Sequence, residues 1–130
     1  MKKIIVLISI LFLSACSKVD VEPLGRKDTI VAFGDSLTFG YGAGIESSYP
    51  NQLSKLIRMK VVNSGVNGNT TKDGLDRISQ VLEEHNPKLV LLGLGGNDML
   101  RKVPEQSIIN NLSSLIQKIK SKNIQVILLP

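Results

Sequence analysis

Two short blocks in this sequence carry residues able to do chemistry. Gly34-Asp35-Ser36-Leu37-Thr38 closes one apolar run, and Gly95-Gly96-Asn97-Asp98 closes another. Ser36 offers a hydroxyl nucleophile, and the Asn97 amide offers N–H groups to a developing negative oxygen. A serine that attacks a carbonyl creates such an oxygen, so the two blocks are complementary parts of an acyl-transfer site. In a third stretch, Asn67-Gly68-Asn69, the Gly68 N–H could point at the same anion. Taken singly, none of the three is specific. Asp35, Ser36 and Thr38 also cap turns and helices, Asn-Gly is a turn signal, and Asp98 could cap its own turn. Ser36 does not sit in the Gly-x-Ser-x-Gly elbow, because Thr38 stands where the second glycine belongs. Gly40-x-Gly42-x-Gly44 and Gly93-x-Gly95-Gly96 both miss the dinucleotide spacing. No phosphate-binding loop or metal-ligand cluster is present in the sequence, and no cofactor is expected.

Elements that would position these blocks follow from the hydropathy pattern. Thr29 to Phe33 is a continuous apolar run before a glycine, which reads as a strand buried on both faces. A permissive loop with Gly40, Gly42 and Gly44 leads to Tyr49-Pro50, where proline suits the first helical position. Leu53, Leu56 and Ile57 are expected on one face of that helix. Val61-Val62 reads as a short second strand and Asn63 to Thr71 as a loop. Leu75, Ile78, Val81 and Leu82 recur at helical spacing up to His85, and Asn86-Pro87 stops the helix. Leu89 to Leu92 is a third strand. Pro104-Glu105 starts a helix with the stripe Ile108, Ile109, Leu112, Leu115, Ile116 and Ile119, closed by Lys118, Lys120 and Lys122. Ile124 to Leu129 is a fourth strand. Regular alternation of strand and helix predicts an α/β fold with a parallel sheet between helical layers. Ligands in such folds collect past the C-terminal ends of the strands, where all three blocks fall.

The first residues read differently. Lys2 and Lys3 precede a ten-residue apolar run, Ile4 to Leu13, too short to span a bilayer but suited to the core of a signal peptide. Leu13-Ser14-Ala15-Cys16 then resembles the lipobox of bacterial lipoproteins, with the only cysteine as the acylated residue. Residues 1–15 are therefore expected to be a signal peptide and residues 16–27 a lipidated cysteine and polar tether. The remaining residues, 28–130, form one domain. The resemblance implies a bacterial cell envelope location with a membrane anchor. Ser17 after the cysteine points to the outer membrane, on its periplasmic face, in a Gram-negative cell. Net charge is +5, falling to +3 without Lys2 and Lys3. There is no tryptophan, no run of like charges and few aromatics, which argues against a nucleic-acid partner.

The order of the blocks is more specific than any one of them. Val62-Asn63-Ser64-Gly65-Val66-Asn67-Gly68-Asn69-Thr70-Thr71, Gly74-Leu75-x-Arg77 and Leu94-Gly95-Gly96-Asn97-Asp98 resemble the SGNH (GDSL) hydrolase family, in its periplasmic thioesterase, lysophospholipase and arylesterase branch. The resemblance spans about Asp28 to Pro130. It implies a flavodoxin-like three-layer sandwich with strand order 2-1-3-4. It also implies a small-molecule acyl ester or thioester substrate, with Ser36 as nucleophile and Gly68 and Asn97 in the oxyanion hole. The family's fourth block, Asp-x-x-His after a fifth strand, has no match in these 130 residues, so the fifth strand and terminal helix are expected to be missing. The only histidine, His85, precedes the third strand whereas Asn97 follows it. Five strand residues span roughly 16 Å, which puts His85 at the opposite sheet edge. The sequence-level expectation is a GDSL-type esterase by lineage, impaired for want of the His/Asp pair. The alternative is a lipoprotein binding module for acyl or carboxylate ligands. Residues 124–129, uncharged and rich in β-branched side chains, are expected to self-associate as an open edge.

Overall fold

A computed structural model describes residues 21–130. The expected signal peptide, Cys16 and the first part of the tether lie outside the described residues. Four parallel strands form one sheet, β1 (Thr29–Gly34), β2 (Lys60–Gly65), β3 (Leu89–Gly93) and β4 (Gln125–Leu128), in the order β2-β1-β3-β4. This is the 2-1-3-4 order expected from the sequence. Helices α1 (Ser36–Phe39), α2 (Tyr49–Ile57), α3 (Thr71–His85), α4 (Gly96–Leu100) and α5 (Glu105–Lys120) connect the strands.

Alternation along the strands divides the core in two. On one face Val31, Phe33, Val90 and Leu92 pack with Ile78 and Leu82 of α3 and with Leu115 and Ile119 of α5. On the other, Ile30, Ala32, Val61 and Leu91 pack with Tyr49 and Leu53 of α2 and with Leu24. Leu24 belongs to the stretch read as tether. Its neighbour Glu22 donates its backbone N–H to Gln125 Oε1 at 3.1 Å, and Gln125 Nε2 returns a bond to the Glu22 carbonyl at 3.0 Å.

Several boundaries differ from the sequence reading. β2 runs to Gly65, because Asn63, Ser64 and Gly65 pair with Ala32, Phe33 and Gly34 of β1. Ladder pairing overrides the polar composition that made this stretch look like loop. α3 starts at Thr71 rather than near Leu75. A capping box at Thr70 and Asp73 fixes that start: Asp73 Oδ2 accepts from the Thr70 N–H at 2.8 Å, and the Asp73 N–H donates back to Thr70 Oγ1. Leu56 is 81% exposed rather than sharing the inward face with Leu53, and Ile109 leaves the α5 stripe at 46% exposed. The short helices α1 and α4 have no hydrophobic period at all, since each is barely a turn long.

The last rung of the sheet is a row of glycines. Gly34 pairs with Gly65 on one side and Gly93 on the other. A Cβ on Gly34 would meet the Thr38 side chain and come within 2.6 Å of the Gly93 carbonyl oxygen. A Cβ on Gly65 would strike the Phe39 backbone. α1 folds back over the sheet end only because these two positions carry no side chain.

Candidate active site

Ser36 is the first residue of α1, two residues past the end of β1. Asp35 caps the helix, accepting the Leu37 N–H on Oδ1 at 3.0 Å, and Gly40 ends it in the left-handed conformation at φ 97°. This geometry holds Ser36 part-exposed on a one-turn helix, with its backbone N–H among the donors that a first turn leaves without an intrahelical acceptor. Gly68 lies in the turn between β2 and α3 at φ +78°, a conformation that favours glycine. Asn97 sits in the first turn of α4, after Gly95 at φ +124°.

Side-chain contacts bring the three positions together. Asn97 Nδ2 donates to the backbone carbonyl of Asn69 at 3.0 Å, next to Gly68. The same nitrogen lies 3.5 Å from Asp35 Oδ2, next to Ser36. One amide therefore ties the β2–α3 loop to α4 and reaches toward the α1 cap. The long 3.5 Å contact is weak, which leaves an N–H able to turn to a better acceptor. Beside α1 a cleft of about 850 Å³ is walled by apolar side chains, among them Leu37, Tyr49, Leu94, Met99, Ile108 and Leu112. Asp35 and Thr38 also line it. Burial pushes the Tyr49 phenol above its ordinary value, with the Asp35 charge adding to the effect and the hydroxyl contact with Thr38 opposing it.

Asp98 does not cap its own turn. It is 1% exposed and reaches across to α3, accepting the Thr71 N–H at 2.8 Å and the Thr71 hydroxyl at 2.6 Å. Asn111 of α5 donates to that hydroxyl at 3.0 Å. A carboxylate at a helix N-terminus is favoured by the free N–H groups there. Here it also fixes the turn that carries Asn97.

His85 lies at the other end of the sheet, as its place in the sequence requires. It lines a polar groove with Thr29 at the start of β1, Lys88 just before β3, and Lys27. No histidine stands beside Ser36 among the described residues.

Arg77, quoted above only inside a longer block, belongs to the site's framework. It follows Gly74 by three residues, on the flank of the buried stripe formed by Gly74, Ile78 and Leu82. A charge beside an inward stripe was the available signal. The tie from Asn69 to Asn97 had none, because a backbone carbonyl is the same at every residue.

Comparison with known proteins agrees with this architecture. The GDSL-like Lipase/Acylhydrolase family model matches residues 32–130. An arylesterase of Vibrio mimicus is 38% identical over 107 residues, covering 78% of this chain and 54% of that protein. Thioesterase 1/protease 1/lysophospholipase L1 of Escherichia coli K12 is 36% identical over 104 residues, covering 78% and 50%. The chain thus spans about half the length of the curated relatives it matches. Among solved structures, AlinE4, an SGNH-hydrolase family esterase, superposes with a TM-score of 0.76 at 37% identity, covering 82% of this chain and 60% of that one.

Proposed function

This chain belongs to the GDSL-like lipase/acylhydrolase family, and on that premise we propose that it is the nucleophile-bearing part of a serine ester or thioester hydrolase. Ser36 Oγ attacks the acyl carbonyl. The new C–O bond pushes the carbonyl electrons onto oxygen, and the N–H groups of Ser36, Gly68 and Asn97 receive that charge. Collapse breaks the acyl C–O or C–S bond and expels the alcohol or thiol, which leaves with the Ser36 hydroxyl proton. Water then adds to the acyl carbon, one of its protons returns to Ser36 Oγ, and the carboxylic acid departs. The observation that carries this reading is the Asn97 amide, bonded next to Gly68 and in reach of the residue before Ser36. The apolar cleft beside α1 suits the acyl portion of such a substrate. The relatives named as arylesterase and thioesterase favour the same chemistry.

A serine hydroxyl is a weak nucleophile without a base. No histidine stands beside Ser36 among the described residues, and His85 is at the far sheet edge. The apolar cleft beside α1, walled by Leu37, Ile108 and Leu112, also suits a second reading, in which residues 28–130 bind acyl or carboxylate ligands without turning them over. We further propose that Cys16 is lipidated and tethers the domain at the bacterial envelope, outer membrane in a Gram-negative cell.

Hydrolysis of p-nitrophenyl acyl esters and of acyl thioesters by the 130-residue polypeptide, against Ser36→Ala, decides between the two. Ser36-dependent turnover supports the hydrolase. Saturable binding of a fatty acid without turnover supports the binding module. Neither result leaves both readings overturned.

A further inference from the structure

Arg77 is half-buried and carries no carboxylate partner within ion-pair distance among the described residues, yet four of its N–H bonds are used. Nε donates to Asn69 Oδ1 at 2.7 Å, and Nη1 to Ser64 Oγ at 3.0 Å. Nη2 donates to the Gly34 carbonyl at 2.9 Å and to the Ser64 carbonyl at 3.0 Å. The guanidinium carbon lies 3.9 Å from the centre of the Phe33 ring, so the plane is also held on an aromatic face. Burial pulls its proton affinity down, the mark of a cation placed where water would serve it better.

The acceptors matter more than their number. Gly34 ends β1 two residues before Ser36. Ser64 is next to last in β2. Asn69 follows Gly68 directly, and its carbonyl holds the Asn97 amide. One rigid fork therefore touches two of the three blocks directly, at Gly34 and Asn69, and reaches the third through Asn69, whose carbonyl holds Asn97. A lysine has no planar fork and cannot span these acceptors at once.

We propose that Arg77 is a positioning residue, fixing the β1 end and the Gly68–Asn69 loop at the separation in which Ser36, Gly68 and Asn97 surround one oxygen. The role rests on the hydrolase reading for its purpose, but its geometric content stands without it. Arg77 touches no reacting atom. It acts through Asn69, whose side chain it grips and whose carbonyl orients Asn97.

The test uses isotope-labelled wild-type chain, Arg77→Lys and Asn69→Ala. Asn69→Ala removes a single part-buried side chain and keeps the carbonyl, so it covers the case in which Arg77→Lys fails to fold. Both variants are expected to shift the Asn97 side-chain amide resonances. They should also speed hydrogen exchange at the Asn69 N–H, which is bonded to the Val66 carbonyl at 3.1 Å, while Leu115 and Ile119 in the α5 core stay protected. Where Ser36-dependent hydrolysis is measurable, kcat should fall roughly 10- to 100-fold with KM within about twofold, as for misplacement of a reacting group. Unchanged Asn97 resonances and Asn69 exchange in both variants would overturn the proposal, whatever the assay shows. Absent hydrolysis in wild type, with the resonance shifts present, would count against the hydrolase reading alone.

Discussion

Asn97 has one amide group and two neighbours competing for it. The 3.0 Å bond to Asn69 fixes its orientation, and the 3.5 Å contact to Asp35 is too long to hold the second N–H firmly. An oxyanion would offer that N–H a charged acceptor and a stronger bond. In a chain showing Ser36-dependent hydrolysis, Asn97→Ala is expected to lower kcat by about 10²–10³ with little change in KM, read by steady-state kinetics. His85→Ala is expected to change neither parameter, since that ring lines a groove at the opposite sheet edge. At Cys16 the expectation concerns partitioning. Wild-type chain expressed in a bacterium should fractionate with membranes and gain the mass of a lipid, and Cys16→Ala should do neither. A soluble processed form with a free thiol would refute the anchor.

α3 shows how an element converts local caps into site geometry. Its N-terminus is held twice, by Thr70 with Asp73 and by Asp98 reaching from α4. Thr70→Ala is expected to destabilise the domain by about 1 kcal/mol in chemical denaturation, the usual value of a lost N-cap. Hydrogen bonds from the Thr70 backbone and hydroxyl hold the Asp73 carboxyl below the ordinary range. The unfolded chain therefore takes up that proton first, at about pH 4. The stabilisation is complete above that pH and is lost as pH falls toward the folded value. Asp73→Asn should remove that acid dependence. Asp98→Asn, which puts an NH₂ where a buried acceptor is needed, should cost about 1–3 kcal/mol. The sequence made the strands and long helices legible, because buried strands are continuous apolar runs and α3 and α5 carry a helical period. It also brought Ser36, Gly68 and Asn97 to one sheet edge. It did not reveal α1 and α4, which are too short for periodicity. Nor did it reveal the partner of Asp98, 27 residues away in the chain, or the four bonds of Arg77, because long-range polar pairing leaves no local pattern.

At the scale of the whole molecule the sheet has two unequal sides and two edge strands, β2 and β4, among the described residues. β4 pairs only with β3 among the described residues, and Ile127 and Leu128 are each about half exposed (50% and 49%). Unpaired strand edges with apolar side chains and no charge invite a second strand. A polypeptide of residues 17–130 is expected to elute as oligomers in size-exclusion chromatography, and Ile127→Lys to shift it toward monomer. A sharp monomer peak for the unaltered polypeptide would show that this edge is quiet. The glycine rung at the C-terminal end of the strands has a consequence for how the protein can change over generations. Added methyls are forbidden at Gly34 and Gly65 by the backbone and side chain of α1, yet at Gly93 the nearest atom is Leu129 Cδ1, 3.6 Å away, which is ordinary contact. In a saturation library selected for folding, the first two positions should admit only glycine, while Gly93 accepts alanine. Gly93 also lines the cleft. The row thus keeps two invariant letters and one adjustable letter, and the adjustable one is where selection can trim the room beside Ser36 without disturbing its turn.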